Sequence, residues 1–305
     1  MKTRNKSVPC KRIPAWGIMG ASVCGAAHFR TNRANQDAIK WLPVENHATF
    51  AMLSVSDGHG GKTSFRSDTG SRLAVEVATA VLSEFMATSR ETENLSLIKS
   101  IAEEKLPLAL HRQWKNRVNE HLVKNPLSKD ELLLLKKAGI DESDLNLDSY
   151  TSIYGSTLLS VLVTPSYALL LQLGDGAILI VTDEGEVQRP LPGDPRFFAE
   201  ETTSLSMNEA WREFQTCFQV LSNKYPGLLL ISTDGYINSF PRDDDFHKVG
   251  CDILNMIRTG GIEDIKNNLS TWLTETSHLG SGDDITLGVV YRKDIVHNNQ
   301  IEAEG

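Results

Sequence analysis

The sequence predicts an α+β fold, sheet covered by helices, on three observations. Short apolar runs recur with turn signals behind them, as buried strands do. Longer stretches repeat apolar residues every three or four positions, the spacing of helices with one buried face. The two kinds of run are clustered instead of alternating one for one, which disfavours a doubly wound parallel sheet.

Along the 305 residues the strand runs fall at 49–55, 157–163, 168–173, 177–181, 228–232 and 285–291. Gly174-Asp175-Gly176 lies between two of them and reads as a hairpin turn, which makes that pair antiparallel. Leu73, Val77, Val81 and Phe85 are spaced by four, as are Leu106, Leu110, Trp114 and Val118, so each set predicts a helix. Ile262, Ile265, Leu269 and Trp272 follow the same pattern of one buried face. Residues 91–148 form a long polar helical region with Pro107, Pro126 and the run Glu131-Leu132-Leu133-Leu134-Leu135, and they separate two groups of strands. Residues 189–226 begin with Pro190, Pro192, Gly193 and Pro195 and read as a loop followed by a helix near 208–214. The expected division is a basic N-terminal arm at 1–15, a single domain at 16–295 with a helical insertion at about 91–148, and a C-terminal tail at 296–305.

Composition narrows the function. Hydrophobic residues make up 40% and charged residues 23%, an ordinary globular balance that excludes a disordered or fibrous chain. The 39 Asp and Glu exceed the 31 Lys and Arg, a formal charge of -8, so no bulk electrostatic pull toward nucleic acid or an anionic membrane is expected. The acids are unevenly placed: none precedes Asp37, whereas Lys2, Arg4, Lys6, Lys11, Arg12, Arg30 and Arg33 are basic. Cys10, Cys24, Cys217 and Cys251 are scattered, which predicts neither a zinc site nor a disulfide framework and points to a reducing, cytoplasmic setting. Residues 13–27 follow a basic start in the manner of a signal peptide, but Pro14, Gly17, Gly20 and Ser22 break the apolar stretch. No segment reaches the roughly 20 apolar residues of a membrane helix, so a soluble protein is expected.

The acids that carry chemistry stand at strand ends. Three apolar runs finish in Asp-Gly, at Asp57-Gly58, Asp175-Gly176 and Asp234-Gly235, and a fourth begins after Asp283-Asp284. In an antiparallel sheet the end of one strand lies beside the start of the next, so these acids can gather at one edge. Clustered carboxylates repel unless their pKa values rise or a cation neutralises them. Oxygen-only ligands select Mg²⁺ or Mn²⁺, and a glycine after Asp leaves its carbonyl open to the metal or its water. Any single Asp-Gly is also ordinary turn chemistry, and Asp175 is the weakest of the set for that reason. His59, in Asp57-Gly58-His59-Gly60-Gly61, adds a residue able to protonate a leaving alkoxide. Gly60-Gly61-Lys62-Thr63 imitates the end of a P-loop, but that motif needs a glycine where Ser56 stands.

Six motifs in order resemble the protein phosphatase 2C family of metal-dependent protein phosphatases, particularly its bacterial members. They are Asn35-Gln36-Asp37-Ala38, Ser56-Asp57-Gly58-His59-Gly60-Gly61, Tyr154-Gly155-Ser156-Thr157, Leu173-Gly174-Asp175-Gly176, Ser232-Thr233-Asp234-Gly235 and Gly282-Asp283-Asp284-Ile285-Thr286. The resemblance implies a four-layer α-β-β-α sandwich with central antiparallel sheets. It implies that Asp57 bridges two metal ions, that the Gly58 carbonyl ligates one, and that Asp234 and Asp283 complete the other. Asp37 resembles the acid that holds a metal-bound water, Asp175 with Asp234 a weaker third-metal site, and His59 the general acid. The nucleophile would be the bridging water, with no phosphoenzyme. Two positions depart from the family pattern: Gln36 stands where many eukaryotic members have Glu, and Asn32 where an Arg usually grips phosphate. Arg33, Arg30 and Arg66 are the substitutes within reach of that role.

The sequence therefore predicts a serine/threonine protein phosphatase using Mg²⁺ or Mn²⁺, two ions with a weaker third, on phosphorylated protein substrates. No nucleic acid or membrane partner is expected. Gln36 and the displaced Arg leave a pseudophosphatase or regulatory binding module as the alternative, and a small-molecule phosphomonoesterase is a third reading.

Overall fold

The computed structural model describes residues 13–43, 48–61, 63–141, 147–192, 202–222 and 224–296. Most of the basic arm and of the C-terminal tail lies outside these residues. In chain order the first half contains β1 (Trp16–Val23), α1 (Ala26–Arg30), β2 (Ala38–Leu42), β3 (Ala51–Ser56), α2 (Ser67–Ser89), α3 (Leu95–Glu104), α4 (Leu106–Lys124), α5 (Lys129–Lys137) and α6 (Leu147–Ser152). The second half contains β4 (Leu158–Val163), β5 (Tyr167–Leu173), β6 (Ala177–Val181), β7 (Val187–Gln188), β8 (Gln215–Val220), β9 (Leu228–Ser232), α7 (Asp234–Ile237), α8 (Asp243–Thr259), α9 (Ile262–Leu279) and β10 (Ile285–Arg292).

The apolar runs are continuous because their strands are buried on both faces. One sheet has the order β2-β3-β4-β5-β8 and the other β1-β10-β9-β6-β7, and all pairings are antiparallel. Between the sheets Leu53, Val55, Leu159, Val161 and Leu170 meet Ile178, Ile180, Leu229, Ile231 and Val290. The alternate residues of the first sheet, Met52, Leu158, Leu162, Leu169 and Leu171, face α2, α3 and α4 through Leu82, Ile98, Leu110 and Trp114. Those of the second, Leu179, Val181, Leu228, Leu230 and Leu287, face Phe246, Ile253, Leu254, Ile265 and Leu269 of α8 and α9. The result is an α-β-β-α sandwich with three apolar layers. Each fully buried Leu or Ile in them contributes roughly 1.5–3 kcal/mol.

Several sequence expectations are corrected. Gly174-Asp175-Gly176 is not a hairpin: β5 and β6 belong to different sheets, and this turn carries the chain from one to the other. Gly174 has φ +113, and a Cβ there would lie 2.5 Å from Thr157 Cγ2, so the turn needs glycine in order to pass beneath the start of β4. The tight hairpin lies one connection earlier, where Thr164 N–H donates to Tyr167 O at 2.8 Å between β4 and β5. The helix expected near 208–214 is a single 3-10 turn at Ala210–Arg212, followed by the unpredicted edge strand β8. Trp272 is 36% exposed and Leu273 takes its place on the buried face of α9.

Within 91–148, α4 is a core element, with Leu110 and Trp114 fully buried and Trp114 Nε1–H donating to Gly70 O of α2 at 3.0 Å. α5 starts with a capping box in which the Ser128 side chain accepts from Glu131 N–H and the Glu131 carboxylate accepts from Ser128 N–H.

Candidate active site

Asp57 leaves β3 just where the strand meets β4. Its N–H donates to Thr157 Oγ1 at 2.9 Å and its carbonyl accepts from Thr157 N–H at 2.8 Å. Gly58 continues against the 35–37 segment, its N–H donating to Gln36 O at 3.1 Å, and a Cβ there would lie 2.6 Å from that oxygen. His59 N–H donates to Gly155 O at 3.0 Å, while its buried Nε2 has no hydrogen-bond partner among the described residues. Asp175 sits on the turn between the sheets and accepts from Thr202 Oγ1 at 2.6 Å. Asp234 opens α7 after β9 and accepts from Asn238 Nδ2 at 2.9 Å.

Asp57, Asp175 and Asp234 therefore come from three strand ends in two sheets, and one carboxylate oxygen of each lies within 4.8 Å of the others. The acids converge between the ends of the two sheets, not along the edge of one. Burial pushes Asp57 well above the ordinary carboxylate range, helped by the charges of Asp37, Asp234 and Asp175. Asp234 is pushed up to about 6, by burial first and then by Asp175 and Asp283, against a hydrogen bond from Asp57. Asp37, immediately before β2, is pushed up to about 8, chiefly by burial. The hydroxyls of Thr233 and Thr286 oppose that rise, and Thr233 Oγ1–H donates to Asp37 Oδ2 at 2.8 Å. Burial lowers the His59 imidazole, and the charge of Asp175 works the other way.

Asp283 stands beside the triad, near enough to raise Asp234, but its own close neighbours are His28 and Asp284. Asp284, which sequence reasoning passed over, is buried and joins three parts of the chain. Its carboxylate accepts from Gly25 N–H at 2.6 Å and from Gln36 N–H at 2.7 Å, and it lies 2.9 Å from His28 Nδ1. The doubled acid before β10 was the only signal for it.

The three arginines separate. Arg66 is turned into the protein: its Nε and Nη2 form a bidentate pair with Glu131 at 2.6 and 2.8 Å, and its remaining donors reach Asn125 O, Tyr154 Oη and Pro126 O. All five guanidinium N–H groups are engaged within the protein, leaving none for a substrate. Arg30 and Arg33 are exposed. Arg33 lines a groove of about 530 Å³ with Gln36, Gly60, Gly61 and residues of α2 and α5. Gln36 Nε2 donates to Ser67 Oγ at 2.6 Å, and its Oε1 has no partner among the described residues.

The two-sheet sandwich is that of the bacterial serine/threonine phosphatases. The serine/threonine phosphatase Stp1 from Staphylococcus aureus is similar with TM-score 0.55 and 14% identity, over 95% of this chain and 99% of that one. The catalytic domain of the serine/threonine protein phosphatase PstP, solved with 2 manganese ions, gives TM-score 0.54 and 15% identity over 91% of this chain and 98% of that one. PppA from Pseudomonas aeruginosa gives 0.53 and 16% over 92% and 99%. At these identities the likeness is one of fold. Residues 24–274 match the family model described as Protein phosphatase 2C, and the chain belongs to that family. No curated protein matches it.

Proposed function

We propose that the protein is a divalent-cation-dependent serine/threonine protein phosphatase. The observation that carries this reading is the convergence of Asp57, Asp175 and Asp234 within 4.8 Å from both sheets. Asp57 and Asp234 are held at raised pKa by burial and by the charges around them, and a hard cation relieves both. The donor set therefore fits Mg²⁺ or Mn²⁺. Asp57, Asp234 and the Gly58 carbonyl would hold two ions with Asp283, and Asp175 a weaker third. When bound, the ions supply Lewis acidity toward a phosphoryl oxygen and toward the attacking water.

The chain's own residues do the rest. Asp37, held by Thr233, accepts a proton from the attacking water once ionised. His59 Nε2, without a partner among the described residues, stands near Asp175, and a phosphoryl dianion favours its imidazolium, as Asp175 already does. It then donates that proton to the departing serine or threonine oxygen. Of the two exposed arginines, Arg33 lines the groove and is preferred over Arg30 to hold phosphate.

The test is hydrolysis of a phosphothreonine peptide with Mn²⁺, with EDTA, and with Asp57→Ala. Turnover needs the metal and falls by about a thousandfold or more in the variant. Turnover indifferent to EDTA would sink the mechanism. His59→Ala lowers the rate more on an alkyl phosphate than on an aryl phosphate, because only the poor leaving group needs the proton. The engagement of Arg66 favours one competitor, a partner-binding module on the same fold. It predicts metal-independent binding of phosphopeptide and no turnover, whereas a small-molecule phosphomonoesterase would turn over sugar or nucleotide phosphates ahead of the peptide.

A further inference from the structure

The groove beside the candidate active site has a wall that the common two-sheet core does not supply. Its floor is Phe65 and Asp68 at the start of α2 with the loop at Gly60, and Arg33 comes from the segment before β2. Leu134 and Lys137 of α5 close the far side. α5 is fixed there by the Arg66–Glu131 fork, and Glu131 is also the residue that caps α5, so one carboxylate both starts the helix and pins it to the α2 entrance. Lys137 and Arg33 have exposed side chains with no ion-pair partner among the described residues, on a chain of formal charge -8. Leu134 is 43% exposed toward the same space.

Arg33 and Lys137, on separate elements, outnumber the one acid of the lining, Asp68, and with Leu134 and Phe65 on the same groove they fit a segment carrying two anionic groups and an apolar side chain. Resting on the phosphatase reading, we infer that α5 is a specificity wall for phosphopeptides. Arg33, four residues from Asp37 in the chain, takes the phosphoryl group. Lys137 takes an acidic side chain flanking the phosphorylated residue, and Leu134 with Phe65 takes an apolar neighbour.

The test uses fluorescein-labelled phosphonate peptides, which cannot be hydrolysed, with Asp or Lys flanking the phosphothreonine mimic. Binding to the full chain with Mn²⁺ is followed by anisotropy, beside turnover of the matching phosphothreonine peptides. The wild type binds the Asp-flanked peptide more tightly, Lys137→Met narrows the difference, and Lys137→Glu reverses it, a swing of about tenfold for exposed charge pairs. A wild type that binds both peptides equally, or an unchanged preference in Lys137→Glu, overturns the inference even if turnover is normal. Charge-dependent binding without turnover in the wild type would instead sink the phosphatase reading and leave the specificity wall standing.

Discussion

In the proposed mechanism Asp37 and Thr233 form the pair on which protonation turns. The Thr233 hydroxyl is one of the groups that hold the Asp37 pKa down against its burial. Thr233→Val removes that donor, so Asp37 ionises later and the acidic limb of the pH–rate profile moves upward by about one unit. An unmoved limb would show that Asp37 does not govern the rate. Asp284 acts differently, as an acceptor for two backbone N–H groups distant in sequence. Asp284→Ala leaves the buried Gly25 N–H and the part-buried Gln36 N–H without a partner, at about 1–3 kcal/mol for the buried one. Urea unfolding should report the loss as a lower midpoint with unchanged slope.

Among the elements, α5 is tied to the α2 entrance by the Arg66–Glu131 pair beside its buried Leu135. Arg66 holds it through a fork that lysine cannot copy. Arg66→Lys is expected to lose about 1–3 kcal/mol and to open residues 126–141 to protease while the sheets stay folded. Cleavage elsewhere first would contradict the tether. Six strands were legible because burial on both faces makes their sequences continuously apolar, and α2 and α4 because their buried residues recur every four. β1 escaped notice since Gly17 and Gly20 interrupt it, yet a Cβ at Gly20 would lie 2.8 Å from Leu287 O, so the glycine is what lets the strand pack against β10. β8 has only half-buried and exposed residues, which leaves no apolar run to find. The Gly174-Asp175-Gly176 signature reads as a turn from sequence, but nothing local says whether the next strand joins the same sheet or the other. The gathering of Asp57, Asp175 and Asp234 was legible from their places at strand ends. The loss of Arg66 to Glu131 was not, because that partner lies 65 residues away.

For the whole molecule, the raised carboxyls couple folding to pH. Asp37 and Asp234 have folded pKa values of about 8 and 6, above the unfolded value of about 3.9. Their contribution is fully present below the unfolded value and is lost as pH rises through 6 and then 8. In EDTA the melting temperature therefore falls between pH 5 and pH 8, and Mn²⁺ removes much of that fall by binding the ionised form. A flat profile in EDTA would mean the acids are solvated in the free protein. Among the described residues no helix is long and apolar enough to cross a membrane, and Cys24, Cys217 and Cys251 are free thiols.

The crossing at Asp175 also gives the sandwich a mechanical property. Asp57 rides on one sheet, Asp234 on the other, and Asp175 on the joint between them. Sliding one sheet over the other is then the same motion as changing the spacing of the three acids. A clamp that fixed the distances among those acids would therefore stiffen the sandwich against shear.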